Sequence, residues 1–114
     1  MKKFIIINGP NLNLLGKRET TIYGEKSFDD YFQELKLKYP NIDLDYVQSN
    51  DESELINQIH QSLNKYNGII INPGAYGHTS IALADAISSV SIRCIEVHIS
   101  NIYAPKIIMN KKIY

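Results

Sequence analysis

The sequence has little of several things that would announce a function. Cys94 is its only cysteine, which excludes an intramolecular disulfide and any CxxC redox or metal motif. It has no net charge, because 12 Lys and Arg residues balance 12 Asp and Glu. That leaves no field to draw in nucleic acid or an anionic membrane. It also has no long apolar run: Phe4 to Ile7 follows Met1-Lys2-Lys3 and is broken at Asn8-Gly9-Pro10. Such a run is too short for a secretory h-region or a membrane span, so the chain reads as soluble and cytoplasmic. Neither GxGxxG nor GxxxxGK followed by Ser or Thr occurs, which argues against a dinucleotide or P-loop nucleotide site. No pair among the three histidines has metal-ligand spacing, and no metal site is expected.

What is present suits one compact domain with a small-molecule partner. A chain of 114 residues, 44% of them apolar, is near the usual size of a single hydrophobic core. Phe4-Ile5-Ile6-Ile7 lacks polar alternation, as expected of a parallel strand buried on both faces. A long connection over residues 9–26 follows, and connections of that length are usually functional. Ser27 with Asp30, ahead of the stripe Phe28, Phe32, Leu35 and Tyr39, marks a helix that Pro40 ends. Ile42 to Val47 reads as a second strand. Leu55, Ile56, Ile59, Leu63 and Tyr66 mark a second helix, closed by Asn67-Gly68. Ile69-Ile70-Ile71 is a third strand. It runs into the turn-rich Asn72-Pro73-Gly74-Ala75-Tyr76-Gly77 and a helix from about Thr79 to Ser88; Ile92 to Ile99 is the fourth strand. This βαβαβαβ order predicts an α/β fold with a parallel sheet, helices on both faces and right-handed crossovers. The buried run at residues 4–7 places the first strand inside the sheet, in the order 2-1-3-4. Residues 105–114 show no helical stripe and fit either one short strand or a loose tail.

Open α/β sheets bind ligands beyond the carboxyl ends of their strands, and the reactive side chains gather there. Asn11, Arg18 and Tyr23 follow strand one, Asn72 and His78 follow strand three, and Glu96 and His98 end strand four. Alternation puts Glu96 and His98 on one face with Ile92 and Cys94, while Arg93, Ile95, Val97 and Ile99 face the other way. A carboxylate beside an imidazole fixes its tautomer and suits it to general-acid work; the plain alternative is a histidine satisfied by a surface carboxylate. Arg18 near Tyr23 would favour a phenolate, bringing a group of reference pKa about 10 within working range. The chain has eight tyrosines, and a structural role is the default for any one of them. The glycine turn of Asn72 to Ser80 before a helix start suits an anion such as a carboxylate, and equally a simple strand-to-helix turn. His60, inside the second helix, is expected to be solvent-facing or packed.

Three segments together resemble type II 3-dehydroquinate dehydratases. They are Asn8-Gly9-Pro10-Asn11-Leu12-Asn13-Leu14-Leu15-Gly16 with Arg18-Glu19 and Tyr23-Gly24; Asn72-Pro73-Gly74-Ala75-Tyr76 with His78-Thr79-Ser80; and Glu96-Val97-His98-Ile99-Ser100-Asn101. Their order and spacing match the family, and the resemblance covers about residues 3–104. It implies a flavodoxin-like three-layer fold and dehydration of 3-dehydroquinate to 3-dehydroshikimate in the shikimate pathway, with no metal or organic cofactor. By the same resemblance Tyr23 is the base, Arg18 its activator, His98 the acid and Glu96 its orienting partner. Asn11 would place an enolate-stabilising water. Asn72, His78, Ile99 and Ser100 would hold the substrate, and Asp85 would act from a neighbouring subunit of a homododecamer built from trimers.

After Ala104 the sequence leaves the family's pattern. The resemblance calls for an arginine-containing helix start, a last strand and a C-terminal helix, whereas Pro105 and Met109 stand where arginines are expected. The expectation is an incomplete dehydroquinase domain over residues 1–104, with the last strand and C-terminal helix missing, and an atypical tail over 105–114. Two competitors accompany the enzyme reading: a catalytically inactive remnant or binding module of the same fold, and a flavodoxin-like flavin or phosphate binder, which the missing phosphate loop disfavours.

Overall fold

The computed structural model describes residues 1–14 and 27–98, and the backbone strand of 106–110. The strands are β1 (Lys2–Asn8), β2 (Ile42–Gln48), β3 (Gly68–Asn72), β4 (Arg93–His98) and β5 (Lys106–Asn110); the helices are α1 (Phe28–Lys38), α2 (Glu52–Ser62), a single turn α3 (Tyr76–Thr79) and α4 (Ile81–Ser89). They form one sheet in the order β2-β1-β3-β4-β5. The first four strands are parallel, in the 2-1-3-4 order expected.

The helix boundaries follow from their caps. Ser27 Oγ accepts the Asp30 N–H at 3.1 Å to start α1, while Asp29 and Asp30 in its first turn and Lys36 and Lys38 in its last complement the helix dipole. Asp51 Oδ1 accepts the N–H groups of Ser53 and Glu54 at 2.8 and 3.3 Å to start α2. Ser80 corrects the sequence expectation of a helix beginning near Thr79. Its backbone is extended and its Oγ accepts the Leu83 N–H at 2.8 Å. It therefore ends α3, a helical turn within and just after the segment expected to be a turn-rich loop, and caps α4, which starts two residues after Thr79.

Register places Ile5, Ile69 and Cys94 side by side across β1, β3 and β4, and Ile7, Ile71 and Glu96 in the next row. These rows face α2 and α4, which bury Leu55, Ile59, Leu83, Ala86 and Ile87 against them. The opposite face carries Phe4, Ile6, Ile70 and Ile95. There α1 packs over β2, setting Phe28 and Phe32 against Tyr46 at ring separations of 4.6 and 5.5 Å. Beside α1 an apolar groove of about 550 Å³ remains, lined by Leu35 and Tyr39 and floored by those four sheet residues.

Lys106–Asn110 takes the strand alternative rather than the loose tail. It pairs with β4 in antiparallel fashion, His98 opposite Lys106 and Cys94 opposite Asn110. The seven residues 99–105 between the two strands are too few for a parallel crossover, which needs a dozen or more. Among the described residues no helix is long and apolar enough to cross a membrane.

Candidate active site

The order 2-1-3-4 puts the topological switch point, where successive crossovers turn to opposite sides, between the parallel strands β1 and β3, and the loops leaving these strands are pinned together at their carboxyl ends. Gly9 N–H donates to the Asn72 carbonyl at 2.7 Å. A β carbon on Gly9 would lie 2.4 Å from the Pro73 carbonyl oxygen, so only glycine lets the two backbones approach this closely. Gly74 has φ +61°, and a β carbon there would lie 3.0 Å from the Pro10 carbonyl oxygen. The Asn72 side-chain oxygen accepts the Gly74 N–H at 3.1 Å, closing the turn. These contacts explain why Asn-Gly-Pro after β1 and Asn-Pro-Gly after β3 occur together.

Asn11 leaves the first loop with φ +69°, a left-handed conformation that asparagine tolerates better than most residues. Its N–H donates to Asn50 Oδ1 at 3.0 Å. Gln48 at the end of β2 donates through Nε2 to the Gly9 carbonyl and to Asn50 Oδ1, each at 3.1 Å. Tyr76 closes the cluster, its hydroxyl donating to the Asn50 carbonyl at 3.0 Å. Gln48, Asn50 and Tyr76 are not among the side chains that the sequence singles out for the site, although Tyr76 lies within one of the family-like segments. Gln48 and Asn50 follow from the same rule that selected Asn11 and Asn72, since they lie at the carboxyl end of β2.

At the end of β4, Glu96 and His98 share a face as alternation predicted. Cys94 joins them in the buried row and Ile92 packs against the same core, while Arg93 and Ile95 line the groove on the other face. Glu96 Oε2 and His98 Nε2 are 2.9 Å apart, with both side chains largely buried. A carboxylate only accepts, so Nε2 carries a proton and donates it. The other edge of the ring lies over Gly77, where a β carbon would sit 2.7 Å from His98 Cε1. His78 is exposed on α3, its ring centroid 6.2 Å from that of His98. The thiol of Cys94 is pushed up to about 11 by burial and then by the Glu96 charge, and it stays protonated at neutral pH.

The structure thus brings Asn11, Asn72, His78, Glu96 and His98 to the carboxyl ends of adjacent strands. Asp85 is exposed on α4, and no described contact joins it to that group. Arg18, Tyr23, Ile99 and Ser100 lie outside the described residues. No group of three or more His, Cys, Asp or Glu able to hold a metal occurs among the described residues. His60 is exposed, the first of the two alternatives expected for it.

Known proteins resemble this chain in sequence and in fold. The family model Dehydroquinase class II matches residues 2–112. The 3-dehydroquinate dehydratase of Clostridium botulinum (strain Hall) is 52% identical over 105 residues, covering 90% of this chain and 71% of that protein. That of Actinobacillus pleuropneumoniae serotype 5b is 52% identical over 106 residues, covering 91% and 69%. The crystal structure of type II dehydroquinase from Butyrivibrio crossotus superposes with a TM-score of 0.79 at 48% identity, covering 88% of this chain and 72% of that one. The Propionibacterium acnes type II dehydroquinase gives 0.81 at 38% identity, covering 88% and 70%. The match to the family model continues past Ala104, through β5. Two strand-end loops pinned at the sheet's switch point, a carboxylate–imidazole pair beside them and a family match over nearly the whole sequence converge: the chain belongs to the class II dehydroquinases, a family of enzymes.

Proposed function

We propose that this chain dehydrates 3-dehydroquinate to 3-dehydroshikimate by way of an enolate. Arg18 holds Tyr23 as a phenolate, which takes the C2 proton. The electron pair left at C2 is delocalised into the neighbouring carbonyl, and a water placed by Asn11 stabilises the resulting oxyanion. The enolate then expels the hydroxyl, to which His98 gives a proton so that it leaves as water, with Glu96 orienting the ring. Nε2 is committed to Glu96, so the transferable proton is at Nδ1, on the ring edge over Gly77. Asn72, His78, Ile99 and Ser100 hold the substrate's hydroxyls and carboxylate, and Asp85 reaches the site of a neighbouring subunit in a dodecamer of trimers. No metal or organic cofactor takes part.

The observation that carries this reading is the 2.9 Å Glu96–His98 pair beside the pinned loops in a chain that matches the class II family model. Incubating the purified protein with 3-dehydroquinate and following the ultraviolet absorbance of the conjugated enone product tests it. A second reading, an inactive binding module of the same fold, is favoured by Met109, which sits in β5 opposite Ile95 where the family resemblance calls for a substrate-binding arginine. Losing a bidentate, charge-assisted contact to a carboxylate costs roughly 1.5–3 kcal/mol. Calorimetric binding of 3-dehydroquinate without any enone would establish the second reading over the first.

A further inference from the structure

We propose that Asn50 is a positioning residue of this site, one that sets Asn11 in its left-handed conformation and ties it to the loop carrying His78. The inference rests on the dehydratase reading above. The orientation of the Asn50 amide follows from its neighbours. The Asn11 backbone N–H, 3.0 Å away, can only donate, so the atom facing it is the amide oxygen. Gln48 Nε2 also reaches that oxygen at 3.1 Å while donating to the Gly9 carbonyl. The backbone carbonyl of Asn50 receives the Tyr76 hydroxyl at 3.0 Å.

One residue after β2 therefore links the loops after β1 and β3. Those loops carry Asn11, on which the enolate water depends, and Gly77 and His78 beside the acid His98. Asn50 is itself exposed, and its side chain supports no buried core. It is anchored from behind, because Asp51 caps α2 and Ser49, buried, donates to Glu54 Oε2 at 2.6 Å. The geometry makes Asn50 a fixed acceptor that Asn11 must meet. Without it nothing described holds the Asn11 N–H, and Asn11 is released to the more populated conformations at negative φ.

Because Asn50 acts only as an acceptor toward both Asn11 and Gln48, Asp can replace it and Ala cannot. Steady-state kinetics with 3-dehydroquinate on Asn50→Ala, Asn50→Asp, Asn11→Gly and Asn50→Ala combined with Asn11→Gly tests this; glycine at 11 keeps positive φ accessible. Asn50→Ala is expected to lower kcat/KM about tenfold, Asn50→Asp to stay within about twofold of the parent, and Asn50→Ala to add nothing in the Asn11→Gly background. A second readout is independent of turnover: the Asn11 amide should exchange with solvent about tenfold faster in Asn50→Ala and recover in Asn50→Asp. Unchanged kinetics in Asn50→Ala, losses that multiply in the double variant, failure of Asp to rescue, or unchanged exchange at Asn11 would each overturn the inference. If the parent protein forms no enone, the dehydratase reading fails, and the exchange rates alone then decide whether Asn50 holds Asn11.

Discussion

Gly77 and His98 occupy one space: a β carbon at position 77 would lie 2.7 Å from His98 Cε1 and 3.1 Å from Pro73 Cγ. Gly77 has no positive φ, so its lack of a side chain serves the histidine and not the backbone. In Gly77→Ala the far end of the imidazole is what must yield. We expect the fold to be retained within about 1 kcal/mol, while kcat falls roughly 100-fold, the order that a displacement of about 1 Å costs in a catalytic group. Paired urea denaturation and kinetics check this, and a normal kcat would mean that the ring position seen over Gly77 is not the catalytic one.

Tyr23 and His98 should fail differently. Tyr23→Phe removes only the ionisable oxygen and should lower kcat by about 10²–10⁴-fold while calorimetric affinity for 3-dehydroquinate changes little. It should also abolish exchange of the substrate's C2 proton with solvent deuterium. His98→Ala should keep that exchange and block enone formation. Small, equal effects from both changes would remove the two residues from the mechanism.

Cys94 should mark the integrity of the core. Its thiol is raised from 9.0 to about 11, first by burial and second by Glu96. The folded state thus holds the proton more tightly than the unfolded state does. The resulting stability is fully present below about pH 9 and is lost as pH rises towards 11. Between pH 8 and 10.5 the urea midpoint of the parent should fall further than that of Cys94→Ala. Thiol reagents should label Cys94 at neutral pH only as the protein unfolds; prompt labelling of the native protein would contradict its burial.

The apolar face beside α1 and the edge of β4 should govern solubility. A groove of about 550 Å³ floored by Phe4, Ile6, Ile70 and Ile95 should bind an apolar fluorescent dye in the native state. Removing residues 105–114 takes away β5 and leaves the backbone groups of β4 unpaired along one edge. Light scattering should then show open-ended aggregation beyond the parent's own assembly at the same concentration, whereas Met109→Lys, which keeps the strand backbone, should not reproduce it.

Much of the fold is local in origin and was legible in the order of residues. β-branched runs at 4–7 and 69–71, a serine cap at 27 and a period of two at the end of β4 each act within a few residues. The shared face of Glu96 and His98 needs only strand alternation, and the internal place of β1 follows from the unbroken apolar run at residues 4–7. Residues 105–114 fit a short strand and a loose tail equally by sequence, and only the structure decides that 106–110 pairs with β4 and runs antiparallel to it. The tertiary structure decided what depends on residues far apart in sequence. Gly9 meets Pro73, Asn11 meets Asn50 and Gly77 meets His98 only because β1, β2, β3 and β4 lie side by side. No local pattern encodes those distances. The sequence determined which groups are available for chemistry; the packing of the parallel strands decided which of them touch, because a contact between loops is set by the sheet that carries both.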